Sequence, residues 1–463
     1  MTINQEITFE EYDEFNRKEI AEKIIKLLKS TIDVSPLVID GDWGTGKTEF
    51  TYKLINLFKE GQKPKEEVGE QQRQSENKIY SLVYIDAYKA DHADEPLMTI
   101  LSALINAFPD IKEKKDLRKK AMSVLKFGTK TILKGGVNWV LRQDSVDIAN
   151  DFDDEIKKAF DKSIDRILSI HEKSEEKIKA LVEVMEKITK ENPVIIFIDE
   201  LDRCRPNFAI KMLENIKHIF DIVNLKFVLV ANLNQIRSSI NHCYGASVNS
   251  QSYLDKFLGF TFGLPQTIPM SNQKCVSCSH FKRLLRGSEL NTTTLIQEDY
   301  IDFFEKIIIV NKLTLRQVET FIKYLNIYQV VSNNELSESM DFGIMMLIIF
   351  GIYLFCFEPD LVADINHGVI DAVELNKLLG KKKLFKIGKE NIDSYCENSD
   401  KIAYAIYKES NKNKSEFGYL EDNEEEQWKS AIGTMFTGHL GRSLPIIGYI
   451  EFVIRKFQLG EKS

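Results

Sequence analysis

The sequence predicts a three-layer α/β domain with a parallel sheet, followed by an α-helical C-terminal domain. Between residues 16 and 270, short apolar runs of strand length alternate with segments of helical spacing. From about residue 280 the apolar residues follow a helical period alone. The chain also has 463 residues, too many for one compact core. We therefore expect an N-terminal segment at 1–15, the α/β domain at 16–270, and a helical lid with a C-terminal helical domain at 271–463.

Local patterns predict the elements of the α/β domain. A helix is expected at 16–31, because Ile20, Ile24 and Leu28 recur at helical spacing. Residues 59–78 are polar and predict a surface loop, and a basic, helical insertion is expected at about 110–190. The other predicted elements are strands at 36–40, 81–86, 194–199, 226–232 and 260–264, and helices at 48–58 and 95–108.

Composition and charge narrow the class of protein. Hydrophobic residues make up 43 % of the chain and charged residues 29 %, the balance of a soluble globular protein. The net charge of −8 does not suit a surface that binds nucleic acid everywhere. The six cysteines are scattered, and residues 1–15 are polar and acidic, unlike a signal peptide. We expect a cytoplasmic protein.

An eight-residue stretch fits the P-loop pattern of glycine, four residues, glycine, lysine, and serine or threonine. It follows the apolar run at 36–40 and precedes the helix at 48–58. Strand, glycine turn and helix N-terminus would therefore converge on an anion, which a chance glycine turn would not provide. The stretch consists of Gly41, Asp42, Trp43, Gly44, Thr45, Gly46, Lys47 and Thr48.

The residue types in this stretch predict ATP and Mg²⁺ as ligands. Gly44 and Gly46 let backbone N–H groups come close to phosphate without a Cβ. Lys47 would reach the β- and γ-phosphates, and the Thr48 hydroxyl would ligate Mg²⁺. The sequence shows no loop suited to reading a guanine base, so ATP is the expected nucleotide.

Two acidic residues follow the apolar run at 194–198. A buried strand that ends in an acidic pair is the Walker B pattern. Asp199 would hold Mg²⁺, usually through water, and Glu200 would polarise the attacking water as a general base. Alone, the pattern also fits an ordinary buried strand with an acidic turn. Its pairing with the P-loop favours the catalytic interpretation.

Asn232 ends the next predicted strand. P-loop ATPases of the additional-strand type carry a polar residue here that contacts the γ-phosphate or the attacking water. Asn232 is the candidate for that catalytic role. An asparagine that only forms a turn is the alternative, since asparagine is common in turns.

Several motifs together resemble the KAP family of P-loop NTPases. The P-loop matches the family's Gly-x-Trp-Gly-x-Gly-Lys-[Ser/Thr], and residues 199–204 (Asp-Glu-Leu-Asp-Arg-Cys) are close to its Asp-Asp-Leu-Asp-Arg-Cys. Residues 253–257 (Tyr-Leu-Asp-Lys-Phe) are similar to its Tyr-Leu-Glu-Lys segment. The resemblance covers roughly residues 16–330, and it departs from the family at Glu200, where an aspartate is usual.

The resemblance implies a Mg²⁺-dependent ATPase that works as a switch or assembly motor. It further implies anti-phage defence or membrane-associated signalling in bacteria, with accessory proteins encoded nearby. Two alternatives stay open, a non-hydrolysing nucleotide-gated scaffold and a nucleic-acid-associated motor. The presence of Lys47, Asp199 and Glu200 favours the enzyme.

An arginine is expected to complete the site, in cis or from a second copy of the chain in a homo-oligomer. The family often supplies one from an Asn-Pro-Arg segment in the lid. Here residues 314–316 read Thr-Leu-Arg, so only the arginine is kept. Arg203 leads because it belongs to the Walker B motif. The candidates are Arg203, Arg205, Arg237 and Arg316.

The segment 112–142 is strongly basic, with ten lysines and arginines against two acidic residues. Lys126, Lys130 and Lys134 would form one stripe on a helix, roughly opposite Trp139. Three interpretations stay open, namely a helix packed on the domain, peripheral contact with the inner face of a membrane, and contact with nucleic acid. Related proteins place membrane helices in this insertion, which ranks the membrane above nucleic acid.

Three further stretches carry predictions. Cys275 and Cys278 supply two of the four ligands that zinc needs, with His280 as a third and His242 or Cys243 as a fourth, so a zinc site competes with ordinary thiols. The apolar run at 342–357 is shorter than the ~20 residues that span a bilayer and predicts a core helix. Residues 408–427 are polar and predict a surface loop.

Overall fold

The computed structural model describes residues 7–10, 13–62, 79–107, most of 179–190, 193–265, 275–337, 340–384, 396–420, 422–436 apart from 434, and 445–458. The chain divides into two compact units, Met1–Pro265 and Gln266–Ser463. The basic segment 112–142 lies outside the described residues, as do most of the insertion at 110–190 and most of the loop expected at 59–78.

The described part of the first unit alternates strands and helices along the chain. Its elements are α1 (Lys18–Lys29), β1 (Leu37–Asp40), α2 (Lys47–Glu60), β2 (Ser81–Asp86), α3 (Ala87–Ala90), α4 (Pro96–Ala107), β3 (Val194–Asp199), α5 (Pro206–His218), β4 (Leu225–Ala231), α6 (Leu233–Tyr244), α7 (Ser250–Leu254) and β5 (Phe260–Gly263).

The strands form one parallel sheet in the order β2-β3-β4-β1-β5. Helices cover both faces. Ile196, Ile198 and Leu229 belong to the core shared with α4, α5 and α6, whereas Phe197 and Val230 belong to the core shared with α1 and α2. Successive residues of a strand face opposite sides of the sheet, so continuous apolar runs fill both cores. The predicted three-layer fold with a parallel sheet is confirmed.

The sheet register brings polar residues to one edge. Asp86 pairs with Asp199 at the carboxyl ends of β2 and β3, and Asp40 pairs with Ala231 at the ends of β1 and β4. Asn232 follows Ala231 directly. Because all strands are parallel, the loops that follow them meet at this edge, where open α/β sheets bind ligands.

The described part of the second unit is helical. Its helices are α8 (Val276–Gly287), α9 (Glu298–Val310), α10 (Leu315–Val331), α11 (Phe342–Phe357), α12 (Pro359–Asn366), α13 (Ala372–Lys377), α14 (Asn398–Glu409), α15 (Lys414–Phe417), α16 (Asp422–Gly433) and α17 (Gly448–Phe457).

Helix α11 lies in the core of this unit. Every residue from Gly343 to Leu354 is buried, so the predicted core helix is confirmed. Among the described residues, no single helix has the length and apolar character to cross a membrane. Helices α11 and α12 reach that length only when joined, and they are bent by 116° at the break.

The surface loop predicted at 408–427 is wrong. Helix α14 continues to Glu409, α15 lies within the stretch, and α16 begins at Asp422. Trp428 explains α16, because its fully buried ring stacks on Tyr404 with centroids 4.8 Å apart. The acidic residues Glu424 to Glu426 lie in the first turns of α16, where negative charge stabilises a helix.

Gly343 lets the chain approach a buried aromatic ring. A Cβ at this position would lie 2.4 Å from the ring of Phe436. We expect Gly343→Ala to destabilise the protein by about 1–3 kcal/mol, because the ring must move within a packed core. Gly433→Ala is the matched control, since a Cβ there meets no atom within 4 Å. Thermal unfolding should show a lower Tm for the first variant alone, and equal Tm values would refute the packing argument.

Candidate functional site

The stretch 41–48 forms a turn between β1 and the N-terminus of α2. Gly44 and Gly46 have φ angles of 77° and 82°, a left-handed conformation that favours glycine. At Gly41, a Cβ would lie 2.9 Å from the Thr45 hydroxyl oxygen. No side chain caps α2, so its first N–H groups have no side-chain partner at the cap. This cradle fits an anion such as phosphate.

Lys47 reaches back across this turn. Its ammonium group donates hydrogen bonds to the carbonyl oxygens of Gly41, at 2.6 Å, and Asp42, at 3.0 Å. Only 8 % of Lys47 is exposed. Burial lowers its pKa, and the carboxylates of Asp202, Asp199 and other nearby acids oppose that shift. A buried cation therefore lies in the turn, held by carbonyl groups that a phosphate can replace.

Asp199 lies beside Thr48 at the end of β3. One carboxylate oxygen accepts the backbone N–H of Glu200 at 2.8 Å, and the other accepts the Tyr84 hydroxyl at 2.9 Å. Burial raises the pKa of Asp199, whereas its interactions with Thr48, Tyr84 and Lys47 lower it. A hydroxyl next to a carboxylate fits Mg²⁺, which takes few protein ligands and fills its shell with phosphate oxygens and water.

Glu200 sits in a left-handed conformation, with φ 59°. Its carboxylate lies 3.1 Å from the guanidinium of Arg203, one turn later in the 3₁₀ helix Leu201–Arg203. Burial raises the pKa of Glu200, and the Arg203 charge opposes that shift. The unusual backbone angle and the ion pair together fix where this carboxylate points.

Two side-chain contacts join the glycine turn to the segments that follow β4 and β3. The amide of Asn232 donates to the Asp42 carboxylate at 3.1 Å, while its oxygen accepts the N–H of Asn234 and caps α6. Asn232 therefore forms a turn and also reaches the site. The indole N–H of Trp43 donates to the Asp202 carboxylate at 2.6 Å, although 46 % of Trp43 is exposed.

Comparison with protein families decides what this arrangement belongs to. The model of the KAP family P-loop domain matches residues 17–331, more than half of the chain. The chain belongs to the KAP family. No curated protein matches it. Family membership supports nucleotide binding by this KAP domain.

Residues in and next to the KAP motifs, outside the phosphate cradle, make contacts that hold the surrounding loops in place. Cys204 is buried, and its thiol donates to the Glu200 carbonyl oxygen at 3.6 Å. Arg205, which follows the motif directly, binds the Asp91 carboxylate through Nε at 3.1 Å, which ties the loop after β3 to the segment after α3. The Tyr253 hydroxyl donates to Glu214 at 3.0 Å.

The four candidate arginines fall in different places. Arg203 forms an ion pair with Glu200, and Arg205 forms one with Asp91. Arg237 donates to Gln251 at 2.9 Å and to Asn234, two residues after Asn232. Arg316 is the second residue of α10, in the second unit, next to a capping box made by Thr314 and Gln317. Among the four, only Arg203 contacts a predicted catalytic residue.

Sequence reasoning missed two residues that support the cradle. The buried Arg17 donates to the carbonyl oxygens of Thr45, at 3.2 Å, and Pro265, at 3.1 Å, and burial lowers its pKa to about 10. Nothing near Arg17 in the sequence signals this contact. Tyr84 could have been found, because it lies two residues before the end of β2, on the face shared with Asp199.

The zinc alternative gains no support. The described residues contain no group of three histidine, cysteine, aspartate or glutamate side chains placed to hold a metal ion. His280 lies 3.3 Å from a Glu319 oxygen and 3.1 Å from a nitrogen of Arg283. Cys243, another proposed ligand, donates to the Asn207 side chain at 3.0 Å.

Proposed function

We propose that the chain is a Mg²⁺-dependent ATPase of the KAP type that uses ATP binding and hydrolysis as a switch or assembly motor. One observation carries the proposal. Four residues lie together at the carboxyl edge of the sheet. Lys47 donates to the glycine turn, the Thr48 side chain contacts Asp199, and Asp199 accepts the N–H of Glu200. Phosphoryl transfer to water needs such a cradle, a metal site and a positioned water more than it needs covalent chemistry.

Binding would exchange contacts within the turn for contacts with phosphate. Lys47 would release the carbonyl oxygens of Gly41 and Asp42 and donate to the β- and γ-phosphates. The N–H groups of the turn and of the first residues of α2 would donate to the same oxygens. Lys47 is already buried, so little of the desolvation cost would be added when ATP binds.

Thr48 and Asp199 would hold Mg²⁺. The ion, when bound, would neutralise charge on the β- and γ-phosphate oxygens. Asp199 is held for this role by Tyr84 and the N–H of Glu200, which fix its two oxygens. Lys47 favours the ionised form of Asp199, because its charge opposes the rise in the Asp199 pKa that burial causes.

Glu200 would accept a proton from the attacking water, and Asn232 would orient that water or the γ-phosphate. A carboxylate whose pKa is raised by burial is a stronger base than an exposed one. Asn232 is held by Asp42 and by its cap on α6, so its amide is fixed beside the cradle.

We assign Arg203 a positioning role toward Glu200. Replacing it by alanine removes the charge that opposes the effect of burial, so the pKa of Glu200 should rise further. Because the base must be deprotonated, the acidic limb of the kcat profile should move to higher pH. Turnover measured across pH tests this.

Two further variants serve as controls for Arg203→Ala. Arg203→Lys keeps the positive charge and should restore the wild-type acidic limb. Lys217→Ala removes an exposed charge that pairs with Asp221, and its profile should stay unchanged. A lower kcat with no shift of the limb would argue that Arg203 acts on the phosphates instead.

The function itself is tested with the full chain, Mg²⁺ and ATP. Phosphate release that stops when EDTA removes Mg²⁺ is the expected result. Binding is followed separately by the fluorescence of Trp43, which contacts the Walker B loop, with Trp43→Phe as the control. ATP binding without phosphate release would replace the enzyme by the nucleotide-gated scaffold. Absence of both would refute the proposal.

We also propose a nucleotide-dependent homo-oligomer in which an arginine reaches the phosphates. The arginine would act in cis or from a second copy, and the candidates stay Arg203, Arg205, Arg237 and Arg316. Light scattering should show growth in mass with a non-hydrolysable ATP analogue. A monomer with and without the analogue would refute self-association.

The biological setting is proposed from the family resemblance alone. It comprises anti-phage defence or membrane-associated signalling, with accessory proteins encoded nearby. The segment 112–142 would provide peripheral membrane contact at the inner face. Flotation with anionic liposomes at low salt tests this contact, which should weaken as salt rises. Binding to nucleic acid instead would favour the motor alternative.

A further inference from the structure

The Cys-x-x-Cys motif is placed on the first turn of a long helix. Cys275 is the N-cap residue of α8, and Cys278 is its third helical residue. Side chains at these two positions face each other, as they do when a capping box forms. Both cysteines are free thiols. The structure thus brings together two nucleophiles that the nucleotide site does not use.

The two thiols have different surroundings. Cys278 is 3 % exposed and belongs to the core of the second unit, whereas Cys275 is only partly buried and packs against that core. The charged side chains that act on the Cys278 thiol are Glu305 of α9 and Lys282 of α8, and they pair with each other at 2.8 Å. Reagents from solvent therefore meet Cys275 first.

The position of Cys275 favours its thiolate. The neighbouring Cys278 thiol lowers the pKa of Cys275, helped by the backbone N–H groups of Ser277 and Cys278, while burial and Glu305 oppose the shift. A helix N-terminus stabilises a thiolate in the same way as other anions. The same interaction and burial raise the pKa of Cys278, which keeps its proton.

We propose that Cys275 and Cys278 are a redox-active dithiol that low-molecular-weight disulfides oxidise to an intramolecular disulfide. The Cys275 thiolate attacks one sulfur of the oxidant, whose S–S bond breaks and releases one thiolate. The Cys278 thiol then loses its proton and attacks the Cys275 sulfur, releasing the second thiolate. In sum, the protein loses two electrons and two protons, and the oxidant becomes two thiols.

The other cysteines lack this combination. Burial raises the pKa of Cys356 and Cys396 to about 12, and it also raises that of Cys204. The thiol of Cys243 donates to Asn207. Oxidation is therefore selective for one pair among the six cysteines, and this selectivity is independent of the nucleotide chemistry.

Glutathione disulfide, added to the full reduced chain, tests the proposal. Two thiols should disappear, and peptide mapping without reductant should join Cys275 to Cys278. Cys278→Ser should instead retain one glutathione on Cys275, since no second thiol is present to release it. Cys275→Ser should form neither the intramolecular disulfide nor a mixed disulfide with glutathione. Cys396→Ser is the matched control and should behave as wild type.

A second measurement needs no variant, in case a core substitution prevents folding. Iodoacetamide at neutral pH should alkylate Cys275 of the wild-type chain at least about tenfold faster than Cys396, because the thiolate is the reacting species. Equal alkylation rates, or glutathione spread over other cysteines, would overturn the proposal. So would six thiols left intact by glutathione disulfide.

Discussion

Lys47→Ala is expected to abolish nucleotide binding and, with it, ATP hydrolysis. The ammonium group now donates to two carbonyl oxygens of the turn and would donate to phosphate in the complex. A hydrogen bond to a charged group contributes about 1.5–3 kcal/mol. Losing two of them should raise the dissociation constant by more than about 100-fold.

The surrounding charges increase this effect. The carboxylates of Asp40, Asp42, Asp199 and Asp202 all interact with Lys47. Without the ammonium group, they would leave a negative site that repels ATP. The pKa of Asp199 should also rise, because Lys47 is one of the groups that lower it. The variant therefore loses a ligand for phosphate and weakens the metal site at once.

Equilibrium dialysis with ATP and Mg²⁺ measures the change. Lys59→Ala is the matched control, because it removes a lysine from the last turn of the same helix, far along α2 from the glycine turn. Lys47→Met keeps the length of the side chain without its charge and should bind as poorly as Lys47→Ala. Thermal unfolding shows that each variant is folded. Wild-type affinity in a folded Lys47→Ala protein would remove Lys47 from its assigned role.

The carboxyl edge of the sheet could be predicted from the sequence. Apolar runs that end in a polar residue identified β1, β3 and β4 with Asp40, Asp199 and Asn232 at their ends. Parallel strands share one carboxyl edge, so these side chains had to lie near the glycine turn. Local patterns sufficed because strand, turn and helix of the P-loop are contiguous in sequence.

Contacts between distant segments could not be predicted. Trp43 and Asp202 are 159 positions apart, and Arg17 and Pro265 are 248 apart. Which side chains meet across such distances depends on the twist of the sheet and the path of each loop. The sequence identified Arg203 as the leading arginine, but its ion pair with Glu200 needed the backbone angle at Glu200, which no pattern indicates.

Helix α16 shows why polar composition misled the prediction of a loop at 408–427. A helix that buries a single large ring needs few apolar residues, and Trp428 provides that ring. The prediction counted polar residues and so overlooked the indole ring of Trp428, which stacks on Tyr404 of α14. Burial of one aromatic side chain of this size contributes several kcal/mol and outweighs the polar face of the helix.

Glu200→Gln is expected to bind ATP and to hydrolyse it far more slowly. Glutamine keeps the size of the side chain, while its amide cannot accept the proton of the attacking water. Loss of a general base lowers turnover by about 10²–10⁴-fold. ATP affinity should be kept, because Glu200 contacts neither Lys47 nor the glycine turn among the contacts described and the cradle stays intact. The complex should therefore accumulate with ATP unhydrolysed.

Single-turnover phosphate release and equilibrium dialysis on the same preparation separate the two effects. Glu374→Gln, an exposed residue of α13 that pairs with Lys377, is the matched control and should turn over as wild type. Asp202→Asn provides a second comparison. Asp202 is the neighbouring acid and binds Trp43, so its loss should disturb the turn and weaken ATP binding. Unchanged turnover in Glu200→Gln, together with a large loss in Asp202→Asn at saturating ATP, would move the catalytic base from Glu200 to Asp202.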